Sequence, residues 1–402
     1  MRFYLFFLVW FSVLALGHWY VGKRIIVPAR LERNAKRLAW FAVVMFFLSS
    51  QVPFLFFLNG MQARWLDMFS WAGYVFLGAF VLVFTFFTLR DLLLLLWRGL
   101  ARAGNPSTKR TAANPERRRF LINASNIGIG AASAMLSGYG VVQAHRRAVV
   151  EMVDIPLPHL PDEFHGLRIL QFSDLHVGPT IKRDYVERVV QQIHELEFDL
   201  IAFTGDLVDG SVAWLRDDVA PLKELSAPFG KFFITGNHEY YSGAMPWIRE
   251  AERLQFDVLL NEHRILQKAE SRLILAGVTD YGAGDFIPQQ HSDPVAALAD
   301  APDGVPRILL AHQPRSIAAA EAAGYDLQLS GHTHGGQFFP GNYAARLNQP
   351  YIKGLHSHGG VWIYVNRGIG YWGPPMRIGA APELTIIRLL RSSLLTSQEK
   401  RP

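Results

Sequence analysis

The chain contains no cysteine in its 402 residues. Disulfides, thiolate metal sites and a cysteine nucleophile are excluded, so any metal must be held by oxygen and imidazole ligands. The redox compartment stays open, because a chain without thiols is at home on either side of a membrane. Acidic residues are scarce at one end. Residues 1–150 carry 18 Lys and Arg against 4 Asp and Glu, whereas the remainder carries 22 against 30. The net charge of +6 averages a basic part and a mildly acidic one. That is not the basic patch on a folded domain that nucleic-acid binding needs, and no nucleic-acid partner is expected.

What is abundant is apolar surface. Half the residues are hydrophobic, 13% are aromatic and the mean hydropathy is +0.13, values that point to a membrane portion. A spanning helix needs about 20 mostly apolar residues, and four stretches qualify. They are 3–21, interrupted only by His18; 38–58, with Pro53 as a tolerated kink; 68–89, with 92–97 extending along the interface beyond Arg90 and Asp91; and 120–142. The last is rich in Gly, Ala and Ser, which suits close helix packing, with a buried or linker helix as the alternative. The segment 101–116 is polar and reads as a loop.

The basic residues of the first interspan segment are Lys23, Arg24, Arg30, Arg33, Lys36 and Arg37. Arg98, Arg102, Lys109, Arg110, Arg117, Arg118 and Arg119 mark the third, against Arg64 alone in the second. Both basic segments belong in the cytoplasm, which places the residues after the fourth span outside, with Arg146 and Arg147 arguing weakly against it. Arg117-Arg118-Arg119-Phe120-Leu121 resembles a twin-arginine export signal, though internal instead of N-terminal. The expected division is a transmembrane region over 1–145 and a catalytic domain over 146–402.

From about residue 150 the pattern becomes short β-rich runs closed by polar or glycine residues. Strands are expected at 167–172, 200–203, 231–234, 273–278, 307–310 and 327–329, with helical spacing over 185–196. Strands alternating with helices indicate an α/β domain whose ligand groups collect at strand carboxyl ends. Those ends carry Asp174 and His176, Asp206, Asn237 and His238, His312, and His332 with His334. One such residue would be unremarkable. Carboxylates and imidazoles crowded at one edge repel or go unpaired unless cations hold them.

Asp174-x-His176, Gly205-Asp206-x-x-Asp209, Gly236-Asn237-His238-Glu239, His312 and Gly331-His332-x-His334 resemble, in order, the motifs of calcineurin-like metallophosphoesterases. The resemblance covers about residues 165–390 and includes Val365-Asn366-Arg367-Gly368-Ile369-Gly370 and Pro382-Glu383-Leu384-Thr385. Within the superfamily, the segment 330–337 and that tail are similar to the membrane-anchored bacterial branch, which includes phosphodiesterases and a UDP-diacylglucosamine pyrophosphatase. The implied fold is a β-sandwich of two mixed sheets flanked by helices, preceded by the N-terminal transmembrane helices.

The resemblance implies two divalent metal ions, with Mn, Fe and Zn suited to these donors. Asp174, His176 and His334 would hold the first, Asn237, His312 and His332 the second, and Asp206 would bridge them. Ions about 3.5–4 Å apart trap a hydroxide and clamp phosphate oxygens. His238 adjoins Asn237 and its side chain diverges from it, so it is cast as the cation or acid near the leaving oxygen. Among weaker candidates, Asp209 orients a loop or a ligand imidazole, Arg367 contacts substrate phosphate or forms a structural ion pair, and Asp280 lies near the site or outside it. His356 and His358 read as loop residues, and Trp362, Tyr371 and Trp372 as core or a lipid-contacting rim. Gly210 stands where phosphoprotein phosphatases of this superfamily carry Arg, which disfavours that activity.

The expected protein is a metal-dependent phosphoric ester hydrolase in the bacterial inner membrane, multi-pass, with its catalytic domain on the outer face. It would cleave a phosphodiester or pyrophosphate bond in a lipid-linked or cell-envelope substrate. An outside domain argues against a nucleotide-lipid made in the cytoplasm. The competing readings are a sensor without turnover and a transport protein with an accessory domain. The near absence of charge within the spans, His18 apart, speaks against transport.

Overall fold

The computed structural model describes residues 2–104 and 114–392. By internal contacts the chain divides into two compact units, Met1–Val142 with Gly373–Met376, and Gln143–Trp372 with Arg377–Pro402.

The first unit contains the helices α1 (Arg2–Ala29), α2 (Arg33–Leu58), α3 (Arg64–Gly104) and α4 (Pro115–Ala144). Among the described residues, Arg33–Phe56, Arg64–Ala101 and Pro115–Ala144 are long and apolar enough to cross a membrane. The stretch expected at 3–21 lies in α1, where the side chains of residues 2–7 are outside the described set. Most of the loop expected at 101–116, with Lys109 and Arg110, is also outside it.

The third stretch extends beyond Arg90 and Asp91, since α3 runs through them as one helix of 41 residues. Its charges are met laterally, so nothing forces a break. Asp91 pairs with Arg24 at 2.6 Å and Arg90 at 3.1 Å, and Tyr20 donates to it at 2.6 Å. Arg90 donates to Asn126 Oδ1 at 2.7 Å, and Asn126 donates to the Arg24 carbonyl at 2.9 Å. This knot ties α1, α3 and α4. Beside it, Leu14, Val21, Leu77, Phe80 and Phe87 form a buried cluster, and His18 stacks on Phe80 with centroids 3.6 Å apart.

The second unit begins with β1 (Val149–Leu157) and β2 (Arg168–Phe172), then α5 (Arg183–His194), β3 (Leu200–Phe203) and α6 (Val212–Val219). It continues through β4 (Lys231–Phe233), α7 (Asn237–Ser242), α8 (Ala244–Arg253), β5 (Asp257–Val258), β6 (Glu262–Lys268), β7 (Ser271–Gly277) and β8 (Arg307–Leu310). Last come α9 (Ile317–Ala322), β9 (Leu327–Ser330), α10 (Gly341–Asn348), β10 (Gly354–His358), β11 (Val361–Val365) and β12 (Glu383–Arg391). Among the described residues they form two six-stranded mixed sheets, ordered β1-β12-β2-β3-β4-β5 and β10-β11-β9-β8-β7-β6. The central strands β2-β3-β4 and β7-β8-β9 are parallel, whereas β12 runs antiparallel to β2.

The two-residue period of a strand explains the layering. Ile169, Leu200, Ala202, Leu275, Ile308, Leu310, Leu327 and Leu329 point into the space between the sheets. Their neighbours Leu170, Phe172, Ile201 and Phe203 face the helices α5, α6 and α8 through Val186, Ile193, Leu215 and Trp247. On the other sheet Ile274, Leu309 and Ile363 pack on Ile317 and Ala320 of α9. Each such buried side chain contributes about 1.5–3 kcal/mol relative to exposure. The result is the expected α/β arrangement, apolar N-terminal helices followed by a sheet-rich domain.

Phe203 closes β3 one residue before the Thr204-Gly205-Asp206 turn and contacts the rings of Phe172, Phe233 and Phe256 at centroid distances of 4.4, 5.2 and 6.0 Å. Replacing it with alanine should cost about 3–5 kcal/mol. Phe286, which is 53% exposed, is the control and should cost within about 0.5 kcal/mol. Thermal melts of the two variants make the comparison, and equal shifts would remove the packing role given to Phe203.

Candidate metal centre

Parallel central strands deliver their carboxyl ends to one place, and both sheets do so here. Asp174 and His176 follow β2, Asp206 and Asp209 follow β3, and Asn237 and His238 open α7 after β4. From the other sheet, His312 follows β8, and His332 and His334 follow β9. Cross-links hold the loops in register. Asp174 N–H donates to the Gly205 carbonyl at 3.0 Å, and Gly331 N–H donates to the His312 carbonyl at 2.9 Å. Glu239, fully buried, accepts from the backbone N–H of Asp206 at 3.0 Å, Leu207 at 2.8 Å and Gly236 at 2.6 Å.

The backbone is strained where these side chains project. Asp174, His176, Asp206, His332 and His334 have φ of 56°, 50°, 57°, 72° and 51°. Left-handed conformations of non-glycine residues cost about 1 kcal/mol or more each and persist where the surroundings over-determine them. Two glycines permit the crowding. A Cβ on Gly331 would stand 2.0 Å from Ser173 Oγ and 2.4 Å from Asp174 Oδ2, and one on Gly236 would stand 2.2 Å from Asp206 Oδ1.

The donors form two adjacent clusters. Asp174, His176 and His334 present ligand atoms within 4.8 Å of one another, and so do Asp206, His312 and His332. In the first, His334 Nε2 lies 3.1 Å from His176 Nε2 and 3.5 Å from Asp174 Oδ1. In the second, His312 Nε2 lies 3.1 Å from Asp206 Oδ2 and 3.2 Å from His332 Nδ1. Asp206 Oδ2 is also 3.7 Å from His176 Nε2, so one oxygen faces both clusters. Its partner Oδ1 accepts the His238 N–H at 2.9 Å. A third grouping, His176, Asp206 and His238, meets the same distance limit and brings His238 closer to the donors than divergence from Asn237 suggests.

These residues fit divalent cations on the structure's own terms. Asn237 Oδ1 is buried without a hydrogen-bond partner among the described residues, an acceptor that a cation would satisfy. His312 Nδ1–H donates to the Thr204 carbonyl at 2.7 Å, which turns Nε2 toward Asp206. Burial and the neighbouring His312 lower His332 to about 3, and burial and His176 hold His334 well below the usual range. Both rings are thus neutral donors at pH 7. Burial raises Asp174. It acts likewise on Asp206, but the surrounding imidazoles, His312 first, bring that carboxyl well below its ordinary value. Mixed carboxylate and imidazole donors suit Mn, Fe or Zn more than an all-oxygen ion.

Asp209 sits behind the donors, where its Oδ1 accepts from His176 Nδ1 at 3.3 Å and His238 Nδ1 at 2.5 Å. Burial would lower His238, but Asp206 and Asp209 raise it to about 9, so this ring is a cation at neutral pH. Asp280 is buried nearby and accepts from Gln313 Nε2 at 2.8 Å. Arg367 pairs with Glu151 at 2.6 Å and with Glu383, so its charge is already engaged. His356 and His358 lie on the edge strand β10, not in a loop and away from the donors. Tyr371 is core, whereas Trp372 is 45% exposed with its ring 5.6 Å from that of His238, so it is not a core residue.

Sequence reasoning missed Arg377. It is buried without a carboxylate partner among the described residues and donates to the carbonyls of Arg367 at 2.7 Å and Gly368 at 3.1 Å. Its Nη2 lies 3.2 Å from His334 Nδ1. No spacing in the sequence announces such a contact. Glu239 was visible as part of the Gly236-Asn237-His238-Glu239 motif, but not its task of pinning three backbone donors.

Residues 167–336 match the family model described as calcineurin-like phosphoesterase. The chain is 32% identical over 394 residues to a "Transmembrane protein with metallophosphoesterase domain" of Danio rerio, covering 94% of this chain and 87% of that protein. The protein of the same name from Bos taurus is 33% identical, with 93% and 86% covered. An "Uncharacterized metallophosphoesterase" of Helicobacter pylori is 33% identical over 366 residues, with 88% and 91% covered. Vertebrate and bacterial relatives are therefore similar to this chain at the same level. The chain belongs to the calcineurin-like metallophosphoesterases and is a membrane-associated, metal-dependent phosphoesterase.

Proposed function

We propose that the chain hydrolyses a phosphodiester or pyrophosphate bond of a lipid-linked or cell-envelope substrate with two divalent cations. The reading rests on one observation, the position of Asp206 Oδ2 between two donor clusters, 3.1 Å from His312 Nε2 and 3.7 Å from His176 Nε2. Asp174, His176 and His334 would hold one cation, Asn237, His312 and His332 the other, and Asp206 both. When bound, the cations would lower the pKa of water and neutralise phosphoryl oxygens.

The protein's own groups do the rest. Asp209 holds the Nδ1 side of His238, so the protonated ring presents Nε2–H outward. As water oxygen bonds to phosphorus and the bond to the leaving oxygen breaks, that proton passes to the leaving oxygen. The reading divides the chain into an anchor over 1–145 and a catalytic part over 146–402. It places the protein as a multi-pass protein of the bacterial inner membrane, catalytic part outside. Manganese is the cation we would supply first. The apolar helices favour a lipid-linked substrate because they keep the site in reach of one.

Full-length protein in detergent should hydrolyse bis(p-nitrophenyl) phosphate, lose activity with a chelator and regain it with Mn²⁺. Asp206→Asn should lower metal content more than any change of a donor that serves one cation. Full activity without metal would sink the proposal, and normal turnover with two bound metals in Asp206→Asn would remove the bridging role.

His238→Ala should retain both metals while kcat falls about 10²–10⁴-fold. The loss should be smaller for an activated aryl ester than for a poor alkyl leaving group. Equal losses would leave only electrostatic support, and loss of a metal would make His238 a ligand, as the third donor grouping allows. A periplasmic reporter fused to the C-terminus should be active, and an inactive one would reverse the orientation.

A further inference from the structure

Arg315 is a cation beside the candidate metal centre. It lies in the 3₁₀ turn Pro314–Ser316, three positions after the donor His312. Its guanidinium makes no ion pair among the described residues, and its Nε is buried with no hydrogen-bond partner. The other arginines near the ligand loops are accounted for, Arg367 by two glutamates and Arg377 by backbone carbonyls. Arg315 lines a pocket of about 340 Å³ together with Asn237, His332, Tyr241, Tyr281 and Gln313. That volume falls within the roughly 300–1,000 Å³ of small-molecule sites, and two of its walls are donors of the metal centre.

The backbone of the arginine is held by a polar chain, and its side chain by stacking. Its backbone N–H donates to Gln349 Oε1 at 3.0 Å, Gln349 Nε2 donates to Gln313 Oε1 at 3.2 Å, and Gln313 donates to both oxygens of Asp280. Gln349, Gln313 and Asp280 are all buried. The guanidinium lies over the Tyr281 ring, 5.0 Å from its centroid. Stacking uses a face of the group and leaves its N–H edge for planar, bidentate recognition of an oxyanion. Asp285 also borders the pocket but is exposed and makes no ion pair with Arg315 among the described residues.

A fixed, unpaired cation in a pocket that opens on metal donors calls for a second anion beside the one the metals would carry. We infer that Arg315 receives a second phosphate of the substrate, joined through oxygen to the phosphorus under attack. The substrate class is then an organic diphosphate, with Tyr241 and Tyr281, 48% and 49% exposed, walling its organic part. This rests on the hydrolytic reading above. Water oxygen bonds to one phosphorus, the bond from that phosphorus to the bridging oxygen breaks, and the bridging oxygen leaves on the second phosphate. The leaving phosphate gains negative charge as the bond breaks, which is what a positioned guanidinium stabilises.

The test compares bis(p-nitrophenyl) phosphate with P1,P2-diphenyl diphosphate on full-length protein in detergent with Mn²⁺. Arg315→Gln should lower kcat/KM on the diphosphate about 10- to 100-fold more than on the diester, the worth of one charged hydrogen-bonded contact. Arg315→Lys should recover part of the difference. Calorimetry with methylenediphosphonate and methylphosphonate supplies a readout without turnover, and Arg315→Gln should weaken the first at least about tenfold more than the second. Equal effects on both members of either pair, or no effect, would overturn the inference. If the wild type binds metal but hydrolyses neither ester, the hydrolytic reading fails, and the phosphonate comparison still decides whether Arg315 reads a second phosphate.

Discussion

Two buried carboxylates, Asp174 and Asp206, set the terms for the rest of the catalytic unit. Neither can lie in a low-dielectric interior without polar or cationic partners around it. The imidazoles of His176, His312, His332 and His334 meet them from both sheets, and the sheets are packed so that parallel strand ends bring those rings together. The left-handed backbone at several of these positions costs free energy that the sandwich core offsets. Gly236 and Gly331, Glu239 and Arg377 then follow as the parts that let the loops approach and stay.

The site was legible because its donors repeat at strand ends, and those strands are covered on both faces. Strands such as β3 and β8, buried on both sides, read as unbroken apolar runs, and their expected bounds coincide with the structure. Edge strands did not announce themselves. β6 is largely exposed and carries Glu262, His263 and Arg264, while β10 is Gly354–His358, a sequence that reads as loop. β12 went unread for another reason, since its partners β1 and β2 lie more than two hundred positions earlier and no local pattern encodes that pairing.

Charged side chains were legible by type but not by use. Arg367 stood in a recognisable tail and suggested phosphate binding, yet Glu151 and Glu383 take its charge. Arg315 stood in no motif and makes no ion pair among the described residues at the pocket. What separates them is the identity of their neighbours, which are distant in sequence. In α3 likewise, Arg90 and Asp91 are charged residues whose partners Arg24, Tyr20 and Asn126 lie far away in sequence.

The place of β12 has a consequence for synthesis. It lies between β1 and β2, and the segment leading to it from β11 bonds the loop after β2, with Ile369 N–H on the Ser173 carbonyl at 2.8 Å and Gly370 N–H on the Asp174 carbonyl at 2.9 Å. The ribosome makes the two outer partners first and the strand between them last. Until β12 arrives, β1 and β2 each present an unpaired edge, a template for association with other chains. A chain that stopped after His334 would keep every candidate donor yet lack the strand that joins β1 to the rest of its sheet.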